Sequence, residues 1–502
     1  MTLSASAPTV TPGEEQKRPG TPRRVVTQLR GIACSLVDLV GPIRCLDVNG
    51  NPGLAPMNPH DRLVTKDLRE IDGERLHMRQ TFRRHLQAHH IVARAGIRFV
   101  KHVRRATQNE CPRSRLPRDQ PERVLDCEDI EQAMGLFGNR LVDSPERDYY
   151  SRVNREETLV LDDLLVNGDT LIPFGKEAAT YALMGRVGNV LLVNGEPKYT
   201  LRAKKGEVVR FFITNVSSSR TYNLSFGSAP IKVVAGDVSR FEREERVPSV
   251  VLAPAERYVV EVRFDRPGRF AVVNAIQAIN HYAGEFSPEV DTLGVVTVDA
   301  AAATPDYGKQ WATLRANAMV SRDIERYRAS FNRPPDKTLT LTVATSALPL
   351  ATVQFMNVDT AYFAPVEWVD GMPDMNWLST SKQVRWILRD ETGKENMDID
   401  WHAQRGSVVK LRIFNDPKSF HPMQHPIHLH GQRMLVVTRD GVPTKNLVWK
   451  DTAIIPVGST VDLLIDASNP GAWMLHCHIA EHLGSGMMTV MNVDPPAAGG
   501  TE

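Results

Sequence analysis

Six histidines and one cysteine of this chain fall within two short segments close to its C-terminus. The first reads His425-Pro-Ile-His428-Leu-His430-Gly431, and the second His476-Cys477-His478-Ile-Ala-Glu481-His482-Leu-Gly-Ser-Gly-Met487-Met488. In a strand, successive side chains alternate faces, so His428 and His430 point one way while Leu429 points the other. The same rule puts His476 and His478 on one face and Cys477 on the opposite one. A single tripeptide can therefore serve two metal sites on the two sides of a strand, joined through the cysteine backbone. Ligand softness suggests the ion: one thiolate, two imidazoles and a weak axial thioether make the trigonal blue-copper set, and Cys477, His425, His482 and Met487 supply it. Zinc is the alternative, since it also takes His and Cys, but it has little use for Met and no need of paired His-X-His strands. To read these residues as ordinary core histidines, six costly polar rings would have to be packed together without a partner.

These ligands require strands to position them, and the chain offers strands. Its 502 residues exceed one ordinary domain of about 100 to 200 residues, so two to four domains are expected. Alternating apolar segments occur at Val208 to Thr214, Tyr258 to Phe264, Thr338 to Val343, Val408 to Phe414 and Val461 to Ile465, punctuated by Pro and Gly. An internal repeat organises them. Gly206-Glu-Val-Val-Arg-Phe-Phe-Ile-Thr-Asn215 recurs as Gly406-Ser-Val-Val-Lys-Leu-Arg-Ile-Phe-Asn415. Ala253-Pro-Ala-Glu-Arg-Tyr is echoed by Ile455-Pro-Val-Gly-Ser-Thr, and Pro267-Gly268 by Pro470-Gly471. The pattern is that of two copies of a Greek-key β-sandwich or barrel domain. The best trace of a third copy, Gly73-Glu-Arg-Leu-His-Met-Arg, has Arg75 and Arg79 where an apolar alternation would be spoiled.

Composition narrows the function classes. Sixty-one Lys and Arg against 59 Asp and Glu give a net charge of +2, which argues against nucleic acid as a general partner. The longest apolar runs fall far short of the roughly 18 to 20 residues of a membrane helix, so no membrane span is expected. Five cysteines at wide spacing, Cys34, Cys45, Cys111, Cys127 and Cys477, form no disulfide framework. Residues 1 to 22 offer no hydrophobic signal core, which makes a cytoplasmic location the default. Arg23-Arg24 ahead of Gly31-Ile-Ala-Cys34 keeps a twin-arginine export signal open. The texture changes near residue 128: residues 81 to 127 hold 11 Lys plus Arg against four Asp plus Glu, and the first 127 residues contain only Phe82 and Phe99 of 33 aromatics. An RNA-binding role for that basic stretch would lack stacking aromatics.

The two C-terminal segments resemble the signatures of the multicopper oxidases, the laccase-like copper enzymes. The resemblance covers Glu128 to about Val493, roughly three quarters of the chain. It implies a mainly β fold of tandem cupredoxin-like Greek-key β-sandwich domains, with an irregular N-terminal region: 1–127 a degenerate or frame-shifted first domain, 128–305 a second and 335–495 a third that carries the copper ligands. It further implies that His425, Cys477 and His482 are type 1 copper ligands with Met487 axial, and that His428 is a type 2 ligand. His430, His476 and His478 would be type 3 ligands. Glu481 is similar to the acidic residue that feeds protons to bound oxygen in some members. Lys450-Asp451-Thr452 resembles a recurring family segment, although Asp451 also reads as an ordinary strand-entry residue. The implied reaction passes electrons singly from a small-molecule or metal-ion reductant to the type 1 copper, then through Cys477 to dioxygen, which becomes water.

The resemblance breaks in the first domain. The family uses four His-X-His pairs, and only the two C-terminal ones are present. His85, His89, His90 and His102 have the wrong spacing to supply the others, and Arg123-Val-Leu-Asp-Cys127 contains no histidine. Two functions therefore stand side by side: a copper oxidase whose first domain is misread or rebuilt, or a single-copper electron-transfer or copper-binding relative that has lost oxygen chemistry. The abrupt edge at Glu128 leads to the expectation that part of the preceding segment is translated from a shifted frame, a true N-terminal domain of other origin being the alternative. The reducing substrate and the oligomeric state are not legible. Met356, Met372, Met375, Met397 and Met423 could suggest soft-metal contacts but also read as filler.

Overall fold

The computed structural model describes residues 148–495, except 176–177, 281–284, 351–368 and 371–372, together with 137, 139, 141, 144 and 146. The sequence expectations for residues 1–127, including the shifted frame and four of the five cysteines, lie outside the described residues, as do Met356 and Met372.

The alternating segments form strands because β-branched and aromatic residues at every second position give one face that packs inward. In chain order the first group is β1 (Arg155–Leu164), the short hairpin β2 (Val166–Asn167) and β3 (Thr170–Leu171), β4 (Val190–Val193), β5 (Tyr199–Lys205), β6 (Glu207–Asn215), β7 (Tyr222–Ser225), β8 (Ile231–Ala235), β9 (Arg240–Val247), β10 (Val250–Leu252), β11 (Arg257–Phe264), β12 (Gly268–Asn280) and β13 (Glu285–Ala302). The second group is β14 (Lys337–Thr345), β15 (Val384–Asp390), β16 (Asp400–Gln404), β17 (Ser407–Asn415), β18 (His425–Leu429), β19 (Arg433–Arg439), β20 (Val442–Pro443), β21 (Thr452–Ile455), β22 (Thr460–Ala467), β23 (Gly471–Cys477) and β24 (Met488–Asp494). Each group makes a six-stranded and a five-stranded sheet. The orders are β4-β1-β6-β11-β8-β9 and β10-β7-β12-β13-β5 in the first group, and β15-β14-β17-β22-β19-β20 and β16-β24-β23-β18-β21 in the second. The repeat is thus visible in topology, down to the parallel pairs β1 with β6 and β14 with β17, and β5 with β13 and β16 with β24.

Each pair of sheets encloses its own core. Phe211, Phe226, Phe264 and Tyr222 lie in the first; Trp386, Leu411, Ile413 and Ile465 lie in the second. The second core also takes in Ala182, Leu183 and Met184, which belong to the loop between β3 and β4 of the first sandwich. The helix Ala318–Glu325 buries Val320 and Ile324 against Leu435, Val437, Trp449 and Leu464 of the second sandwich. Among the described residues no helix is long and apolar enough to cross a membrane.

The equivalent asparagines Asn215 and Asn415 confirm the first half of the repeat. Each donates from Nδ2 to two carbonyls, those of Arg220 and Leu252 at 2.7 and 3.0 Å, and those of Met423 and Ile455 at 2.8 and 3.1 Å. In the second half Gly268 and Gly471 open equivalent strands as expected, but the match of Ala253 with Ile455 is corrected by one residue. Arg257 pairs with Thr214 and Thr460 with Phe414, so the strand starting at Arg257 corresponds to the one starting at Thr460, and Pro254 is not the counterpart of Pro456. Both prolines precede their strand, where ladder register does not constrain position; within the strand a one-residue slip would turn every side chain to the wrong face.

Candidate metal centre

Sheet β16-β24-β23-β18-β21 lays β18 against β23 so that Ile427 pairs with Cys477 and His428 with His476. The strands proper end at Leu429 and Cys477, one residue short of His430 and His478. The ladder nevertheless continues, because His430 N–H donates to the Met474 carbonyl at 2.9 Å and His478 N–H to the Pro426 carbonyl at 2.7 Å. That continuation keeps the alternation expected from sequence. Beyond it the short helix Ala480–Gly484 turns His482 back, and Gly486, at φ 99°, lets the chain reverse. Cys477 N–H then donates to the Met487 carbonyl at 3.1 Å.

On one side of Cys477 sit His425 and His482. The Cys477 Sγ lies 3.6 Å from each Nδ1, and the two Nδ1 atoms are 3.2 Å apart. A point equidistant from the three donors is about 2.0 Å from each, which is a metal–imidazole bond length. His425, Cys477, His482 and Met487 are all buried. Burial pushes His425 down to about 3, His482 well below the usual imidazole range, and the Cys477 thiol up. Both imidazoles are therefore neutral donors at pH 7, and a bound cation would convert the thiol to thiolate.

Three groups remote in sequence close this side. The Leu183 carbonyl accepts from His482 Nε2–H at 3.1 Å, which leaves Nδ1 with its lone pair facing the sulfur. The Trp386 ring lies 4.2 Å from that of His482 and 4.8 Å from that of His425, and its Nε1–H donates to the Ala182 carbonyl at 2.7 Å. Sequence reading missed Trp386 and Leu183; an indole on a strand and a loop carbonyl carry no local sign of such a role.

On the other side of Cys477, four histidines gather. Ring centroids of His428 lie 4.8 Å from His430, 5.5 Å from His476 and 5.6 Å from His478, and His476 and His478 are 5.6 Å apart. His430 Nε2 is 2.9 Å from His476 Nε2. Burial, with the neighbouring histidines adding to it, drives His428 down to about 3; burial also drives His478 to about 4 and His476 well below the usual range. His476 Nδ1 lies 2.9 Å from the Cys477 carbonyl, so the two groups touch through the backbone of the cysteine. Of the remaining described histidines, His402 is exposed beside Asp400 and Asp494, and His421 lies near Trp386. Neither joins the four.

Glu481 is buried, and its Oε2 accepts from the Ser219 hydroxyl at 3.0 Å, beside Arg186 of the first sandwich. Burial raises its carboxyl above the usual range. The carboxylate beside the four histidines is instead that of Asp451, 3.7 Å from His428 Nδ1. Of the methionines considered beside Met487, Met423 is a core residue and Met397 is exposed.

Among the described residues the first sandwich contains the same strands without the donors. Asn274 pairs with Leu224 where Cys477 pairs with Ile427. By that register Tyr222, Ser225, Val273 and Ala275 stand where His425, His428, His476 and His478 stand in the second copy.

Multicopper oxidase family models match residues 143–293 and 372–497. This chain belongs to the multicopper oxidases. It is 25% identical over 369 residues to Laccase-1 of Melanocarpus albomyces, covering 65% of this chain and 51% of that protein. It is 24% identical over 389 residues to Laccase-1 of Fomitopsis schrenkii, covering 73% of this chain and 67% of that one. The chain thus spans about half the length of the first of these relatives. Among solved structures, a multi-copper oxidase from Pseudomonas Thermotolerans aligns at 21% identity with a TM-score of 0.48, covering 73% of each chain. Multicopper oxidases are copper-dependent oxidoreductases, so copper is the cofactor that family membership implies.

Proposed function

We propose that this chain is a laccase-like copper oxidoreductase in which His425, Cys477, His482 and Met487 would hold a type 1 blue copper, which would supply one-electron oxidation of a reductant. The observation that carries the reading is the donor triangle, whose centre stands at bonding distance from one sulfur and two imidazoles, in a buried site against Trp386. Copper held there supplies one-electron redox chemistry. The protein's part is to exclude water by burial, to fix the His482 tautomer through Leu183, and to hold the three donors before the ion arrives, which lowers the rearrangement needed on electron transfer. Cys477 is also the conduit: its sulfur faces one group and its carbonyl touches His476 of the other. In this reading His428, His430, His476 and His478 are the C-terminal half of a dioxygen-reducing centre.

Replacing Cys477 with Ser tests it. Copper-loaded protein should show the intense visible thiolate-to-copper charge-transfer band, and C477S should lose it. A colourless, copper-loaded protein with intact Cys477 refutes the assignment.

The second reading, a single-copper electron carrier, is favoured by one observation: among the described residues four histidines gather where a complete dioxygen-reducing centre needs eight. A first shell half supplied does not hold its metals. About one tightly bound copper per chain, with negligible oxygen uptake, is then expected. Near four coppers per chain with brisk oxygen uptake would favour the oxidase and show that residues 1–127 supply ligands.

A further inference from the structure

His428 is tied to the opposite sandwich by three side chains in series. Its Nδ1 lies 3.0 Å from Thr452 Oγ1, and that hydroxyl lies 2.9 Å from Asp451 Oδ1. Asp451 in turn receives both arms of Arg257, Nη1 to Oδ1 and Nη2 to Oδ2, each at 2.6 Å. Arg257 opens β11 of the first sandwich, 194 residues from Asp451. Its guanidinium is itself pinned, donating to the Ala255 carbonyl at 2.9 Å and the Asp237 carbonyl at 3.0 Å. Lys450, one residue before Asp451, is held by Asp237 at 2.9 Å and Glu256 at 3.2 Å.

Donor counting assigns every proton in this series. Both Asp451 oxygens accept from the two arms of the Arg257 guanidinium at 2.6 Å, the geometry of a bidentate ion pair, so the group is a carboxylate and accepts only. The Thr452 hydroxyl has one proton, and Asp451 takes it. Toward His428 the hydroxyl oxygen can then only accept, which requires the proton on His428 Nδ1. Asp451 cannot do this directly, because 3.7 Å is beyond hydrogen-bond reach.

We infer that the series Arg257–Asp451–Thr452 fixes His428 as the Nδ1–H tautomer, leaving Nε2 as its metal-binding nitrogen, and that Arg257 is a positioning residue through which the donor-free sandwich governs the four-histidine group. The metal part of this statement rests on the reading of that group as a copper site; the tautomer does not. The arrangement extends a common device of metal sites, in which the second nitrogen of a ligand histidine is held by a carboxylate, by one hydroxyl. Bidentate geometry makes arginine the residue that can do it, since a lysine is a point charge and cannot hold both carboxylate oxygens in plane.

The test uses the metal-free full chain with histidine ring nitrogens labelled with 15N, observed by long-range proton–nitrogen correlation at pH 7, with His428 identified by its loss in His428→Gln. Wild type and Thr452→Ser should show His428 with Nδ1 protonated. Thr452→Val should move it toward the Nε2–H form, and Arg257→Lys should give a mixture of the two. A second readout is titration with Cu(II) alone, followed by electron paramagnetic resonance: the non-blue copper should bind about 10- to 100-fold more weakly in Thr452→Val and Arg257→Lys, with the Cys477 band unchanged. Wild type protonated at Nε2, or Thr452→Val indistinguishable from wild type, overturns the inference. If the tautomers behave as expected but wild type binds no non-blue copper, the inference stands and the copper reading of the four-histidine group fails.

Discussion

Lowering the pH from 7 to 5 should destabilise the copper-free protein by an amount set by its buried imidazoles. In the fold His425 and His428 are held to about 3 and His478 to about 4, whereas in the unfolded chain each returns to about 6.5. Between those values the unfolded chain binds more protons, so stability rises with pH across this window and falls as the pH drops through 6.5. At pH 5 each such histidine favours the unfolded chain by about 2 kcal/mol, and the three together by about 6 kcal/mol. That sum is comparable to the whole net stability of an ordinary domain, roughly 5 to 15 kcal/mol. His476 and His482, shifted in the same direction, add to it. The assay is urea unfolding at a series of pH values, followed by tryptophan fluorescence, since Trp386 packs directly on His425 and His482. Copper binds the neutral rings and should move the loss of stability to lower pH. A copper-free midpoint that stays constant from pH 7 to 5 refutes the reasoning, as does an equal fall in a variant with His425, His428 and His478 replaced by Gln.

Trp386→Ala should cost about 3 to 5 kcal/mol as a large-to-small core change, while Trp386→Phe, which keeps most of the packing but orphans the Ala182 carbonyl, should cost about 1 to 3 kcal/mol; denaturant midpoints of the copper-free protein measure both. Gly431 sits at φ 62° with the ring of Trp473 where a Cβ would stand, so Gly431→Ala should displace that indole, disturb the adjoining His430 and lower the melting temperature by several degrees. A Gly431→Ala protein that melts with wild type would show that the indole moves aside without cost.

Much of the centre was legible because strand alternation is local: the order of residues in His476-Cys477-His478 already decides that the thiol and the two imidazoles face opposite ways, and donor softness already suggests copper. The repeat was legible for the same reason, as patterns such as Val208 to Ile213 and Val408 to Ile413 state their own faces. Register between strands was not local, which is why matching Pro254 with Pro456 misaligned that segment by one residue, and why only sheet pairing reveals Tyr222 and Asn274 in the places of His425 and Cys477. Much of what clamps the donors came from the packing of one sandwich on the other. Leu183 reaches His482 across 299 residues, Ser219 reaches Glu481 across 262, and Arg257 reaches Asp451 across 194. A sequence specifies which atoms can bind a metal, because that is a property of residue types. Which nitrogen carries the proton, and which carboxylate stands beside which ring, depends on hydrogen bonds between residues hundreds of positions apart, and those exist only once the sandwiches have packed.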